Sequence, residues 1–179
     1  FQGCSSLASV TFPKGLETIG VSAFRYSGLT SVKMPSSLTK ICKFAFRDCN
    51  QLANIDFNEC PAKIYEEAFA GCNSLTEVTV PATCTMTEWN HFAYCEALTS
   101  ATILTKSVWL DGMLRDNPKL ETVVLTSSSL LGNYTFGNTL NMKTVTFLEG
   151  ESEREYEYVM GTTDQTNCLF IIPEGTAES

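Results

Sequence analysis

The 179 residues suffice for one domain with a sizeable core, and 44% hydrophobic with 18% charged side chains is the composition of a folded chain. There are 20 acidic and 12 basic residues, a net charge of −8, and no Lys/Arg cluster, which argues against nucleic acid and anionic membranes as partners. No apolar run approaches the roughly 20 residues a bilayer crossing needs, and the chain opens at Phe1, inside a repeat and without Met, as an excised fragment would.

Taken in chain order, the sequence returns to one pattern every 22 or 23 residues. An aromatic residue or Leu closes each turn, at Phe1, Phe24, Phe46, Phe69, Phe92, Leu114 and Phe136. Three residues later stands a small residue: Cys4, Ser27, Cys49, Cys72, Cys95, Asn117 or Thr139. Leu7, Leu29, Leu52, Leu75, Leu98, Leu120 or Met142 comes next. Apolar residues two apart then follow, such as Val10/Phe12, Val32/Met34, Ile55/Phe57, Val78/Val80 and Val145/Phe147. The period of two predicts a short strand with one buried face. Pro13, Pro35 and Pro81 fall just after three of these strands, where a missing N–H costs the ladder least. A second half-turn, with Leu16 and Ile19 or Leu38 and Ile41 three apart, closes on Ala23, Ala45 or Ala68 before the anchoring Phe. This piece is shorter than the about 12–15 residues an isolated helix needs, and reads as an irregular or 3₁₀ turn.

A single turn orders too much chain for the area it buries, so the pattern predicts a solenoid in which neighbouring turns cover one another. Equivalent residues then stack in columns, and strands one turn apart are parallel. Seven matched turns span residues 1–148. Residues 149–179 are expected to form a C-terminal cap on the same continuous domain. It holds an acidic insert loop with Glu149, Glu151, Glu153, Glu155 and Glu157, then a strand signature from Cys168 to Pro173.

The segments AFRDCNQLANIDF (45–57) and AFAGCNSLTEVTV (68–80) resemble the BspA-like leucine-rich repeat family, whose turns read A-F-x-x-C-x-x-L-x-x-V-x-I-P. Cys168 to Gly175 resembles that family's closing segment. The resemblance implies a leucine-rich repeat solenoid, a right-handed arc with a parallel β-sheet on its concave face and short 3₁₀, irregular or β segments on its convex face. It also implies a bacterial cell-surface or secreted protein that binds or adheres and is not an enzyme.

The residues that tempt towards chemistry have plainer explanations. Four of the eight cysteines fall in the stacking column of small residues, where free buried thiols are expected. Cys42, Cys60, Cys84 and Cys168 lie off it, and a bridge between Cys60 and Cys84, near the same phase in successive turns, stays open. There is no C-x-x-C for zinc. His91, the only histidine, stands in the column of Ala23, Ala45 and Ala68, and with Trp89 and Tyr94 would form an aromatic patch on the convex side. The acidic segment lacks the layout of a calcium loop and reads as solvated. Asn133, Tyr134 and Thr135 form a formal glycosylation sequon. Asp56 and Glu77 occupy different rows of the sheet and read as surface charges. No catalytic residue, metal site or cofactor is expected.

The informative surface is the outward face of the strands. Lys33, Asn54, Asp56, Glu77, Thr79, Thr102, Thr122 and Thr144 form a polar ladder without an aromatic residue. A protein is the expected partner of this face, by a monomeric domain. A glycan is the weaker alternative, because a sugar ring wants an aromatic surface to stack on.

Overall fold

The computed structural model describes residues 1–105, 107, 110–127, 131–148 and 169–171. The chain winds into a parallel-strand solenoid with no helix among the described residues. Its strands are β1 (Thr18–Ile19), β2 (Ser31–Lys33), β3 (Lys40–Ile41), β4 (Asn54–Asp56), β5 (Lys63–Ile64), β6 (Glu77–Val80), β7 (Thr85–Met86), β8 (Ser100–Ile103), β9 (Thr122–Leu125), β10 (Thr144–Phe147) and β11 (Leu169–Ile171). The main sheet runs β11-β10-β9-β8-β6, and β2 and β4 pair separately beside it. A second sheet, β1-β3-β5-β7, is built from the two-residue segments around Ile19, Ile41, Ile64 and Met86. Every strand pairing among the described residues is parallel, and all but that of β10 with β11 join residues one repeat apart, as in Val78 with Ala101 and Val123 with Val145.

One expectation is corrected. The first of the seven turns forms no strand around Val10 and Phe12, and Ser9 and Thr11 remain outside the sheet. The closing pieces are of the irregular kind, successive tight turns, for instance Ala23 N to Gly20 O, Arg25 N to Ser22 O and Ser27 N to Phe24 O. Each piece carries two residues with positive φ, four apart, bracketing the anchor: Ser22 and Tyr26 about Phe24, Phe44 and Asp48 about Phe46, Glu67 and Gly71 about Phe69. The same holds for Asn90 and Tyr94, Gly112 and Asp116, and Tyr134 and Asn138. Only Gly, Asn and Asp adopt this left-handed conformation readily, and for other residues it costs roughly 1–2 kcal/mol.

That conformation turns three N–H groups of each closing piece towards the next turn. Phe24 donates to the carbonyl of Ala45, Phe46 to Ala68, Phe69 to His91, Phe92 to Met113 and Leu114 to Thr135. The left-handed residues do the same, Ser22 to Lys43 and Phe44 to Glu66, Tyr26 to Arg47 and Asp48 to Ala70. Lys43 O and Phe44 N belong to one peptide group, so the bonds link peptides head to tail along the solenoid. Such chains polarise each other and satisfy backbone that would otherwise be buried unpaired.

The side-chain columns follow. The rings of Phe1, Phe24, Phe46, Phe69 and Phe92 stack in sequence, with centroids 5.2–5.5 Å apart and planes within 8°. The small residue three places later reaches back one turn. Cys49, Cys72 and Cys95 Sγ point to the carbonyls of Phe24, Phe46 and Phe69 at 3.0, 3.5 and 3.4 Å, and Asn117 Nδ2 donates to that of Phe92 at 2.9 Å. Next, the Leu N–H closes on the small residue's carbonyl, as in Leu52 to Cys49 and Leu75 to Cys72. The A-F-x-x-C-x-x-L spacing is thus a set of contacts, each made by a named atom.

Cysteine placement follows expectation except at the first turn. Cys49, Cys72 and Cys95 are buried free thiols, whereas Cys4 is exposed and Cys42 half-buried. Cys60 and Cys84 are free, and Cys84 Sγ meets the Cys60 carbonyl at 3.2 Å. Cys168 lies outside the described residues, as do the acidic segment and the strand signature's flanks at Pro173 and Gly175. Burial raises the Cys72 thiol well above its ordinary pKa and pushes Cys95 up to about 12, so neither forms the reactive thiolate at neutral pH. A water-soluble maleimide should therefore modify Cys4 first and Cys42 more slowly, with Cys49, Cys60, Cys72, Cys84 and Cys95 reacting only in denaturant. Peptide mapping reads the order, and native modification of Cys72 at the Cys4 rate would contradict this packing.

Candidate functional site

The alternation of each strand decides which side chains meet solvent. Val32, Val78, Val80, Ala101, Ile103, Val123, Leu125, Val145 and Phe147 point into the core. Their neighbours form two outward rows. One row holds Ser31 beside Asn54, then Glu77, Ser100, Thr122 and Thr144; the other holds Lys33 beside Asp56, then Thr79, Thr102, Val124 and Thr146. All eight residues expected on this face reach it, in two groups, because β4 and β6 belong to separate sheets.

Within the first group, Lys33 Nζ and Asp56 Oδ2 pair across the strands at 2.7 Å. The Asp56 Oδ1 accepts the backbone N–H of Asn58 at 2.8 Å and fixes the turn after β4. The Lys33 ammonium, helped by that N–H, holds the Asp56 carboxyl below its ordinary pKa although partial burial opposes this. Asp56 therefore has two structural partners, which its outward position alone did not reveal. Val10, Phe12, Lys14, Lys33 and Asn58 line a hollow of about 600 Å³ at this end. In the second group Glu77 stands opposite Ser100, and Thr79 opposite Thr102, giving hydroxyls in register with one carboxylate. Among these outward positions there is no aromatic residue.

Apart from Phe1 at the first turn, the exposed aromatics among the described residues lie on or beside the ledge of tight turns. Tyr26, Trp89, Tyr94 and Tyr134 are each 40–52% exposed. His91 is not among them, contrary to expectation. Its ring is fully buried, with Nε2 against the Thr87 carbonyl at 2.8 Å, and burial lowers its pKa to about 4. Trp89 and Tyr94 flank it in sequence but point to solvent, because the left-handed turn at Asn90 and Tyr94 reverses direction between them. Three of the exposed aromatics, Tyr26, Tyr94 and Tyr134, sit at positive φ, which residue type alone does not reveal. The available signal was their phase, two residues either side of an anchor, where Gly3, Gly71 and Gly112 stand in other turns. The sequon at Asn133 is committed to the fold, with Thr135 Oγ1 placed between the carbonyls of Leu110 and Gly132 at 3.2 and 2.9 Å.

The phased columns are matched by a family model, the BspA type leucine rich repeat region, which fits six copies over residues 1–111 and 61–163. The chain belongs to the BspA-type leucine-rich repeat family. Its solenoid is similar to the crystal structure of a leucine-rich repeat protein of T. pallidum (TpLRR), with TM-score 0.62 and 22% identity, over 75% of this chain and 64% of that one. It is also similar to a leucine-rich repeat protein from Eubacterium ventriosum, with TM-score 0.63 and 16% identity, over 82% of this chain and 44% of that one. The chain thus spans less than two thirds of the length of either, and at these identities the likeness is one of fold. No curated protein matches it.

Proposed function

We propose that this domain is a non-enzymatic protein-binding and adhesion module of a bacterial cell-surface or secreted protein, and that it receives an extended segment of a partner along the main sheet. The observation that carries the reading is the second outward group, where Glu77, Thr79, Thr102, Thr122 and Thr144 stand accessible in one register on rigid strands. A flat ladder of hydroxyls can hydrogen-bond the main chain of an extended segment, with the Lys33–Asp56 pair and its neighbouring hollow adding charge and shape at one end.

Replacing Glu77 by Lys or Thr102 by Arg should weaken binding to immobilised extracellular-matrix proteins at least tenfold, with the melting temperature unchanged. Surface plasmon resonance against the unmodified domain measures this, and variants that bind like the original would overturn the use of this face. A spacer role is the second reading, favoured by the continuous ring stack and head-to-tail peptide chains, which make a stiff rod. It gains ground if these variants leave all partner binding intact.

A further inference from the structure

Two tyrosines on the turn ledge share a setting that the fold does not require. Tyr26 and Tyr94 have φ of 59° and 61°, in the column where Gly3 and Gly71 take the same conformation. Asn or Asp fills the column elsewhere, at Asp48, Asp116 and Asn138. A bulky aromatic residue at such a position is an outlier, and strain kept in an exposed side chain points to use of that side chain. Both are substantially exposed, at 47% and 40%.

Their surroundings match. Tyr26 donates its backbone N–H to Arg47 O and Tyr94 donates to Arg115 O, each at 3.1 Å. The next residue is an aspartate in both cases, held by that arginine: Arg47 Nε lies 3.3 Å from Asp48 Oδ2, and Arg115 Nε lies 2.6 Å from Asp116 Oδ2. Asn138 Nδ2 donates to Asp116 Oδ1 at 2.6 Å, so the carboxylate is fixed and still has lone pairs to offer. Each tyrosine is braced by a guanidinium over its ring, Arg25 at 4.6 Å from the Tyr26 centroid and Arg115 at 5.8 Å from that of Tyr94. Beside Tyr94 is a hollow of about 380 Å³ shared with Glu96, Asp116, Pro118 and Lys119. A smaller hollow of about 120 Å³ lies beside Tyr26 and Asp48. The two settings are three turns apart on one edge, roughly 14 Å at the strand-like spacing of the solenoid.

We infer that this ledge binds a neutral polysaccharide, with Tyr26 and Tyr94 as two stacking platforms along one sugar chain. The C–H face of a pyranose packs on a tyrosine ring, and its hydroxyls donate to a carboxylate that arginine has already oriented. At the larger hollow Lys119 offsets Glu96, and Asp116 is paired with Arg115 beside it, while the chain as a whole carries −8. A neutral glycan fits these charges, and an acidic one is repelled. This site is separate from the sheet proposed for protein binding and does not depend on it.

Affinity electrophoresis through gels containing laminarin, dextran or galactomannan tests the assignment, with melting temperature measured alongside. The domain is expected to be retarded by at least one of them. Replacing both tyrosines by Gly should abolish the retardation while raising the melting temperature, because Gly suits the left-handed position. Glu77→Lys, on the main sheet, should be retarded as the original is. Migration unaffected by all three polysaccharides overturns the proposal. So does retardation unchanged in Tyr26→Gly/Tyr94→Gly, a lower melting temperature in that variant, or a loss of retardation in Glu77→Lys.

Discussion

Replacing Phe69 by Ala is expected to destabilise the domain by about 4 kcal/mol or more, at the upper end of large-to-small core substitutions. Phe69 is fully buried at the middle of the ring column. Its ring lies 5.2 Å from that of Phe46 and 5.4 Å from that of Phe92, both nearly parallel, and Phe57 meets it edge-on at 5.7 Å. Truncation removes the transfer free energy of a whole ring, leaves a void between two rigid turns, and breaks two stacked contacts worth about 0.5–1.5 kcal/mol each. The void cannot collapse easily, because Phe46 N–H donates to the Ala68 carbonyl on one side and Phe69 N–H to the His91 carbonyl on the other, tying the same backbone to both neighbours. Phe1 is a control in the same column. It stacks on one side only and is 70% exposed, so Phe1→Ala should cost less than about 1 kcal/mol. Urea titration of the three proteins decides the matter. Equal losses for the two substitutions would mean that the column does not carry the core's stability.

The columns themselves were legible in the sequence because stacking demands identical residues at a fixed interval, and that interval survives as a spacing. Phe69, Cys72, Leu75 and Val78 could be assigned their places without coordinates, and so could the outward positions of Thr79 and Thr102, since alternation fixes faces. What composition cannot encode is backbone sign. The left-handed residues bracketing each anchor are Ser, Phe, Glu, Tyr, Asp and Asn as well as Gly, and only their shared conformation marks them. Tyr26 and Tyr94 were invisible as a pair for that reason. Partnerships across turns were equally hidden. The outward position of Asp56 follows from its sequence, but its commitment to Lys33 and to Asn58 depends on how β2 and β4 lie together. His91 shows the limit most sharply: the proximity of Trp89 and Tyr94 argued for a surface patch, whereas the ring is fully buried in the column of Ala45 and Ala68.

That burial makes the domain acid-sensitive in a range where carboxylates are silent. The His91 imidazole is kept neutral in the folded protein down to about pH 4, chiefly because burial penalises the charged form, against a value of 6.5 in the unfolded chain. Hydrogen bonding at the ring and the nearby Glu88 carboxylate favour the charged form but do not overcome burial. Between those values the unfolded chain binds a proton that the folded chain does not, so stability is complete above pH 6.5 and falls as pH drops towards 4. The shift corresponds to about 2 kcal/mol lost by pH 5 and about 3 kcal/mol by pH 4. Asp56 and Glu88 have pKa values lowered in the folded state, from 3.8 and 4.5, so their contribution is present above those values and is lost only at lower pH. The loss between pH 6.5 and 5 therefore belongs to His91. Met113 is fully buried in the same column one turn on, which makes His91→Met the substitution that fills the site without a titrating group. Urea midpoints at pH 7, 6 and 5 should fall for the original protein and stay nearly level for His91→Met. Parallel decline in both would assign the acid sensitivity to other groups and refute a neutral buried imidazole at this position.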